Sequence, residues 1–131
     1  MRDISPLHVL MNAKTSSGAG NAFFCKQYQN IEFYVKARDT VSFTIKFAIA
    51  YEDTAPDFTL AQATKEYDYV AVRDRQDNAV IAGDTGVAFT LPDYQHFNVE
   101  TNSAVYFCPI LTTYVNGTVT VKALGSSPAE R

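Results

Sequence analysis

Strict alternation of apolar and polar side chains is the feature that most constrains this chain of 131 residues. From Val41 to Tyr51 every odd position is apolar, and the even positions between them carry Ser, Thr, Lys or Ala. Because successive side chains of a β-strand point to opposite faces, this period of two predicts a strand with one buried face. Residues 31–37 repeat the pattern, and Arg38-Asp39-Thr40 between the runs is of hairpin length, which predicts two consecutive antiparallel strands.

A second hairpin is predicted near the C-terminus. Asn116-Gly117 readily accepts positive φ at both central positions of a type I′ turn, so residues 105–114 and 118–124 are expected to form its two strands. The first of these strands is apolar on both faces, which predicts a central position under a second sheet. Pro109 has no backbone N–H to donate to a neighbouring strand, which predicts a bulge or a sheet edge at that point.

Weaker patterns complete an all-β chain. Further strands are predicted at residues 7–12, 22–27, 67–73, 79–82, 87–90 and 95–101, with tight turns at 74–78 and 83–86. Residues 15–20 predict a flexible loop, and residues 56–66 a long surface connection that could hold one helical turn. Short strands with frequent turns favour an antiparallel β-sandwich, jelly-roll or immunoglobulin-like, with a closed barrel as the alternative.

Composition limits the partners and the compartment. Apolar residues make up 47% of the chain, which excludes disorder, and no apolar run approaches the ~20 residues needed to span a bilayer. A net charge of -3 and a pI of 5.2 offer no basic stripe to phosphates, so neither nucleic acid nor membrane is an expected partner. The start lacks the apolar segment of a secretory signal, which predicts synthesis in the cytoplasm. One domain over residues 1–131 is expected, with a flexible arm at 1–6 and a flexible tail at 125–131.

Asp84-Thr85-Gly86 matches the short signature of aspartic proteases. That chemistry needs two carboxylates that share one proton, so a dimer would have to supply the second aspartate. Gly83 and Gly86 around the aspartate are typical of a tight turn, and the turn is the favoured interpretation. No catalytic residue is therefore predicted.

Cysteines, histidines and acids also favour structural roles. Cys25 and Cys108 lie in apolar segments and belong to no CxxC motif, so buried thiols are favoured, with a disulfide as the alternative if their strands adjoin. His8 and His96 show no zinc-ligand spacing, and a Cys/His nucleophilic pair is disfavoured inside strands. The acids at residues 52–68 lack EF-hand spacing and are interpreted as a solvated surface rather than a calcium cage or a glycosidase pair. No metal or cofactor is predicted.

Tyrosines are the predicted interface residues. They fall at odd and even strand positions alike, so some must lie at the surface, where Tyr serves protein interfaces and sugar-stacking platforms. A carbohydrate-binding module is the alternative, weakened by the absence of Trp, and it is favoured if several tyrosines line one shallow groove beside Asn or Asp. The six predicted residues are Tyr34, Tyr67, Tyr69, Tyr94, Tyr106 and Tyr114.

A series of short motifs spans residues 17–124. They are SGAGNAF at 17–23, YQNIE at 28–32, SFTIKF at 42–47, DYVAVRD at 68–74, GDTG at 83–86, FNVETN at 97–102 and GTVTVK at 117–122. Their order and content resemble small β-sandwich virion proteins of tailed bacteriophages. Phe107 and Cys108 stand where that family has a Trp.

The resemblance implies a role without catalysis. It implies a capsid decoration, or cement, protein of the virion that bridges capsomers, contacts the major capsid protein and assembles as a homotrimer. A tail or head–tail connector component is the structural alternative. The arm at residues 1–6 and the tail at 125–131 are candidate contact segments that would order on binding.

Overall fold

The computed structural model describes residues 3–101 and 104–127. These residues form β-strands and one short 3₁₀ helix, Gln62–Thr64, which lies in the predicted long connection. No helix in the described part of the chain is long and apolar enough to cross a bilayer. The strands are β1 (Asp3–Ile4), β2 (His8–Lys14), β3 (Gly18–Ala19), β4 (Phe23–Phe24), β5 (Asn30–Ala50), β6 (Asp68–Tyr69), β7 (Val72–Asp74), β8 (Val80–Ile81), β9 (Val87–Phe89), β10 (Asp93–Glu100) and β11 (Tyr106–Ser127).

Two very long strands, β5 and β11, form the frame of the molecule. They pair antiparallel from Asn30 opposite Ser126 to Ala50 opposite Tyr106. A straight strand would separate Phe33 from Phe47 by about 46 Å, at roughly 3.3 Å per residue. Their ring centroids are 4.7 Å apart, so the β5–β11 ribbon must fold back on itself.

The folded ribbon produces two layers. The first layer contains residues 30–37 of β5 and 118–127 of β11, extended by β10, β7 and β8 on one side and by β1 and β2 on the other. The second layer contains residues 41–50 of β5 and 106–114 of β11, extended by β6 and β9 and by β3 and β4. The antiparallel sheet is sandwich-like and is not closed into a barrel, which confirms the predicted fold class.

Both predicted hairpins are wrong, because the chain bends there without leaving its strand. β5 continues through Arg38-Asp39-Thr40, and β11 continues through Asn116-Gly117 with shifts of register on either side. Asp39 has φ 71° and Gly117 has φ 123°. The positive φ that the sequence assigned to a type I′ turn is used instead for a bulged corner, where the ribbon passes from one layer to the other.

The odd-numbered side chains of both halves of β5 meet between the layers. Phe33, Phe47, Phe97 and Phe107 are all at most 2% exposed and pack ring against ring, with centroid separations of 4.7 to 6.1 Å. Ring pairs at these distances are favourable, and their burial removes large apolar areas from water. The alternation therefore predicted the buried face correctly as far as Phe47. Beyond it the prediction is wrong, because Ala48 and Ala50 at even positions are buried under the connection and Tyr51 is 60% exposed.

The chain ends are paired where the structure describes them. Asp3 and Ile4 lie opposite Ser127 and Ser126, and the Ser5 hydroxyl accepts a 2.8 Å hydrogen bond from the Gly125 amide. The flexible arm predicted at residues 1–6 and the flexible tail predicted at 125–131 are thus strand or buried chain over 3–5 and 125–127. Residues 1–2 and 128–131 of those segments lie outside the described residues.

Pro109 lies in β11 between β5 and the short strands β3 and β4. Its carbonyl accepts a 2.8 Å hydrogen bond from the Gly20 amide. In an antiparallel strand the N–H and C=O of one residue point to the same side, so the missing donor faces the gap between β3 and β4. Pro109 therefore lies within the sheet, at a gap in the pairing on one side of β11, and the bulge or sheet edge predicted there is wrong.

Candidate interaction surfaces

The outer face of the first layer, termed the open face, carries polar and aromatic side chains in register across the strands. One row runs Leu124, Glu32, Asn98, Arg73, Val80, and the next runs Val9, Lys122, Tyr34, His96. A third row runs Thr120, Lys36, Tyr94. All of these side chains are half-buried or exposed. The alternation that buries Phe33 and Val35 thus places Glu32, Tyr34 and Lys36 on this surface.

Two of the six predicted tyrosines stack at the centre of the open face. The rings of Tyr34 and Tyr94 are 4.7 Å apart between centroids and inclined by 14°. They come from neighbouring strands, β5 and β10, in a diagonal relation that brings long side chains within reach. Tyr94 is 60% exposed, so the pair presents an aromatic surface to the outside.

An acid–histidine pair lies beside the tyrosines. The Nε2 atom of His96 is 3.6 Å from the Oε2 atom of Glu32. This oxygen is shielded from solvent and has no hydrogen-bond partner among the described residues. Buried polar atoms are nearly always paired, and this oxygen of Glu32 is an exception to that rule. This pair could not be predicted from the sequence, because the register between β5 and β10 that brings it together has no local signal.

The outer face of the second layer is covered. The connection between β5 and β6 folds over it, and Phe58 and Tyr67 pack on Ala48, Ala50, Cys108 and Ile110 in a second buried cluster. The Tyr67 hydroxyl donates a 2.7 Å hydrogen bond to the Leu60 carbonyl, and burial raises the pKa of Tyr67. This tyrosine therefore holds the connection against the sheet.

The remaining predicted tyrosines also lie away from the open face. The Nζ atom of Lys46 lies over the Tyr69 ring, 5.1 Å from its centroid, and Tyr106 packs edge-on against Phe24. Tyr114 donates a 2.6 Å hydrogen bond to the Gly117 carbonyl at the ribbon corner. The structure thus divides the six residues into a stacked pair on one face, three on the opposite side and one at the corner.

Two open grooves flank the covering connection. The larger, of about 620 Å³, is lined by Phe58, Leu60, Gln62, Tyr67 and Tyr69 together with Lys14 and part of β11. The smaller, of about 450 Å³, is lined by Tyr51, Glu52, Gln62, Tyr67 and Asp68. Tyr51 is 60% exposed, so the smaller groove combines an accessible aromatic ring with carboxylates.

Asp84 lies in an exposed turn. The amides of Thr85 and Gly86 donate to the Ala82 carbonyl, which closes the turn that the glycines predicted. The Asp84 carboxylate is 3.4 Å from the Gln62 amide nitrogen, which also donates to Asp68. Hydrogen bonding through one glutamine holds these carboxylates at the surface of the connection.

Both cysteines are free and buried. The Cys25 thiol donates to the Ala104 carbonyl at 3.3 Å, and the Cys108 thiol contacts the Gly20 carbonyl at 3.5 Å. Burial raises the pKa of each thiol to about 12, which makes the reactive thiolate rare at neutral pH. No group of three or more His, Cys, Asp or Glu that could hold a metal ion lies within residues 3–101 and 104–127.

The fold is similar to one already seen in a phage-derived protein. The chain superposes on the crystal structure of the SPBc2 prophage-derived protein YomS with a TM-score of 0.73, over 97% of this chain and 96% of that one. The sequences are 16% identical, so the likeness establishes a shared fold along the whole chain. Comparison with protein-family models and with curated protein sequences gives no match.

Proposed function

We propose that this protein is a non-enzymatic structural component of a tailed-phage virion, and specifically a capsid decoration protein. The observation that carries the proposal is the full-length similarity of fold to a prophage-derived protein. The motifs spread over residues 17–124, which resemble those of small β-sandwich virion proteins of tailed phages, also support the proposal. Raised thiol pKa values and the exposed turn that holds Asp84 also favour a role without catalysis.

Decoration requires a rigid body with accessible faces. The aromatic core between the two layers supplies rigidity, and the open face supplies an accessible surface with polar and aromatic groups. A cement subunit bridges neighbouring capsomers. Contacts of roughly 1,600 Å² each, repeated over the capsid, stabilise the shell collectively. The partner in this proposal is the major capsid protein. The protein is made in the host cytoplasm and is a homotrimer once attached to the virion.

The deciding experiment mixes purified protein, in separate samples, with expanded capsids and with tails that were assembled without it, and counts bound copies by electron microscopy. We expect symmetric density at fixed positions on the head, with three copies of the 14.5 kDa chain at each position. Heads that stay bare while density appears at the tail or neck would replace decoration with a connector role. Capsids and tails that both stay bare would contradict the proposal.

Carbohydrate binding is a second candidate, favoured by the smaller groove. Tyr51 and Tyr67 line that groove beside Asp68, the combination of rings and a carboxylate expected of a sugar site. A glycan array tests it directly. Retention of a glycan by the wild-type protein and its loss in Tyr51→Ala, with Tyr94→Ala as the control on the opposite face, would support a binding module.

A further inference from the structure

We propose that Asn116 is a modification site, at which the side-chain amide is lost and the residue becomes aspartate or isoaspartate without an enzyme. The proposal is independent of the role in the virion, since water is the only co-reactant. Asn116 is the one asparagine of the sequence that is followed by glycine. The pair has the composition of a hairpin turn, whereas the structure places it at the corner of the ribbon.

The reaction is an intramolecular ring closure followed by hydrolysis. The backbone nitrogen of Gly117 attacks Cγ of Asn116, so an N–Cγ bond forms and the Cγ–Nδ2 bond breaks. The amide proton leaves with the side-chain nitrogen as ammonia, and a cyclic imide remains. Water that opens the imide at Cγ gives aspartate, and water that opens it at the backbone carbonyl carbon gives isoaspartate. Nothing is oxidised or reduced in either step.

Gly117 makes the attacking nitrogen accessible. A side chain on the residue after asparagine would crowd the approach to Cγ, and glycine has none. Gly117 has φ 123°, a conformation that residues with a Cβ rarely adopt. Even an added Cβ would lie no closer than 3.4 Å to its nearest neighbour, the Cα atom of Val41, so the surrounding backbone does not crowd this position.

The pairing of β11 with β5 is interrupted on both sides of Asn116. A regular ladder would oppose ring closure, because it holds successive residues extended. Asn116 lies opposite Ser42, but within residues 104–127 neither Val115 nor Gly117 has a partner in register on β5. Asn116 and Val115 are both exposed. The peptide between Asn116 and Gly117 can therefore rotate with the loss of few contacts, and water can reach the imide.

Two other asparagines serve as internal comparisons, because the structure restrains the residue that follows each. Asn78 also has positive φ in an exposed turn, but the next amide, that of Ala79, donates a 3.0 Å hydrogen bond to the Asp77 carboxylate. Asn98 is paired in register with both β5 and β7, and Val99 after it carries a branched side chain. Reaction should therefore be slower at both sites than at the corner.

Conversion would change the corner in two ways. Either product places a negative charge two positions before Thr118, whose hydroxyl donates to the Asp39 carboxylate across the corner. Isoaspartate also lengthens the backbone beside Gly117, whose carbonyl accepts the 2.6 Å hydrogen bond from Tyr114. Because the ribbon passes between layers at this point, the modified chain should unfold at a lower temperature than the fresh one.

The first experiment incubates the native wild-type protein for days in mildly alkaline buffer made with ¹⁸O-labelled water. Digestion with trypsin in ordinary water releases residues 76–122 as one peptide, which carries Asn78, Asn98 and Asn116 and is fragmented by mass spectrometry. We expect labelled aspartate and isoaspartate at Asn116 at roughly ten-fold or more the level at Asn78 or Asn98, since the reaction follows local opening of the backbone. Equal labelling at the three sites, or labelling of Asn116 only after unfolding in guanidinium, would overturn the proposal.

The second experiment uses variants at the same position. Asn116→Gln, whose longer side chain closes a less favourable ring, should take up no label there, and circular dichroism checks its fold. If this variant does not fold, the wild-type comparison with Asn78 and Asn98 decides alone. Freshly purified Asn116→Asp carries the charge without the longer backbone, so aged wild type rich in isoaspartate should melt below it. Equal melting temperatures of fresh and converted protein would overturn the effect on the corner.

Discussion

Cys25 and Cys108 show how burial controls the reactivity of a single side chain. Each thiol lies in an apolar cluster and donates to a backbone carbonyl, and burial raises the pKa of each to about 12. The sequence favoured buried thiols over a disulfide, and the structure leaves both cysteines free. Their position also places them out of reach of reagents in water.

We predict that neither thiol reacts with Ellman's reagent in the native protein at pH 8, because the thiolate is rare and inaccessible. After unfolding in guanidinium, two thiols per chain should react within minutes. A native protein that releases one equivalent rapidly would show that one cysteine is exposed. Cys25→Ala and Cys108→Ala serve as controls that assign each equivalent.

Gly83 illustrates a different constraint on a single residue, close backbone approach. A Cβ atom there would lie 2.8 Å from the carbonyl carbon and oxygen of Tyr69 and 2.9 Å from the carbonyl carbon of Val70. These are backbone atoms and cannot swing aside as a side chain could. The sequence interpreted Gly83 as part of a turn, whereas the structure adds tight packing against the chain beside β6.

Gly83→Ala should lower the free energy of unfolding by about 1–3 kcal/mol, because the added methyl overlaps that backbone. Urea denaturation followed by circular dichroism measures the loss. Ala71→Ser, which adds one atom at an exposed position, should change stability by less than about 0.5 kcal/mol. Equal stability of Gly83→Ala and the wild type would contradict the predicted overlap.

At the scale of elements, β5 and β11 are the unusual feature, since each serves two layers. The corner depends on positive φ at Asp39 and Gly117, and the Thr118 hydroxyl donates a 2.8 Å hydrogen bond to the Asp39 carboxylate across it. Bulges bend a strand without ending it, because one extra residue is accommodated while pairing resumes on both sides. The ribbon therefore changes layer without a hairpin.

Gly117→Ala should destabilise the protein by about 1–3 kcal/mol, since residues with a Cβ rarely adopt φ near 123°. The nearest atom to the added Cβ is 3.4 Å away, so the loss would report backbone conformation rather than a clash. Asp39→Asn is the matched control, because Asn tolerates positive φ and can still accept from Thr118. Thermal unfolding of both variants provides the comparison, and a neutral Gly117→Ala would exclude the strained corner.

At the scale of the whole molecule, the phenylalanine cluster joins the layers. Phe33 belongs to the first layer and contacts Phe47 and Phe107 from the second as well as Phe97 from its own. Removal of such a ring leaves a cavity between two sheets that cannot easily close. The cluster therefore links the stability of both layers.

Phe33→Ala should destabilise the fold by about 3–5 kcal/mol, through lost burial and the residual cavity. Phe24→Ala removes the same ring from a position that is 50% exposed and should lose less than half as much. Urea denaturation measures both variants. Similar losses in the two would mean that Phe33 does not join the layers.

Much of this architecture was predicted because it is encoded by local periodicity. The alternation from Ile31 to Phe47 predicted which side chains of β5 are buried between the layers, and the sandwich follows because two such faces must cover each other. The same alternation placed Tyr34 at the surface. The Gly83–Gly86 turn and the short helical turn in the long connection also arise from local residue preferences.

Tertiary structure alone decided where these pieces meet. Asn116-Gly117 has the composition of a hairpin, but pairing with β5 on both sides draws it into one bent strand, since a ladder of many hydrogen bonds outweighs a local turn preference. The partners of Tyr34, the approach of His96 to Glu32, and the burial of Tyr67 under the connection depend on register between distant segments. The sequence by itself therefore determined which faces are apolar, and long-range pairing decided which face remained open.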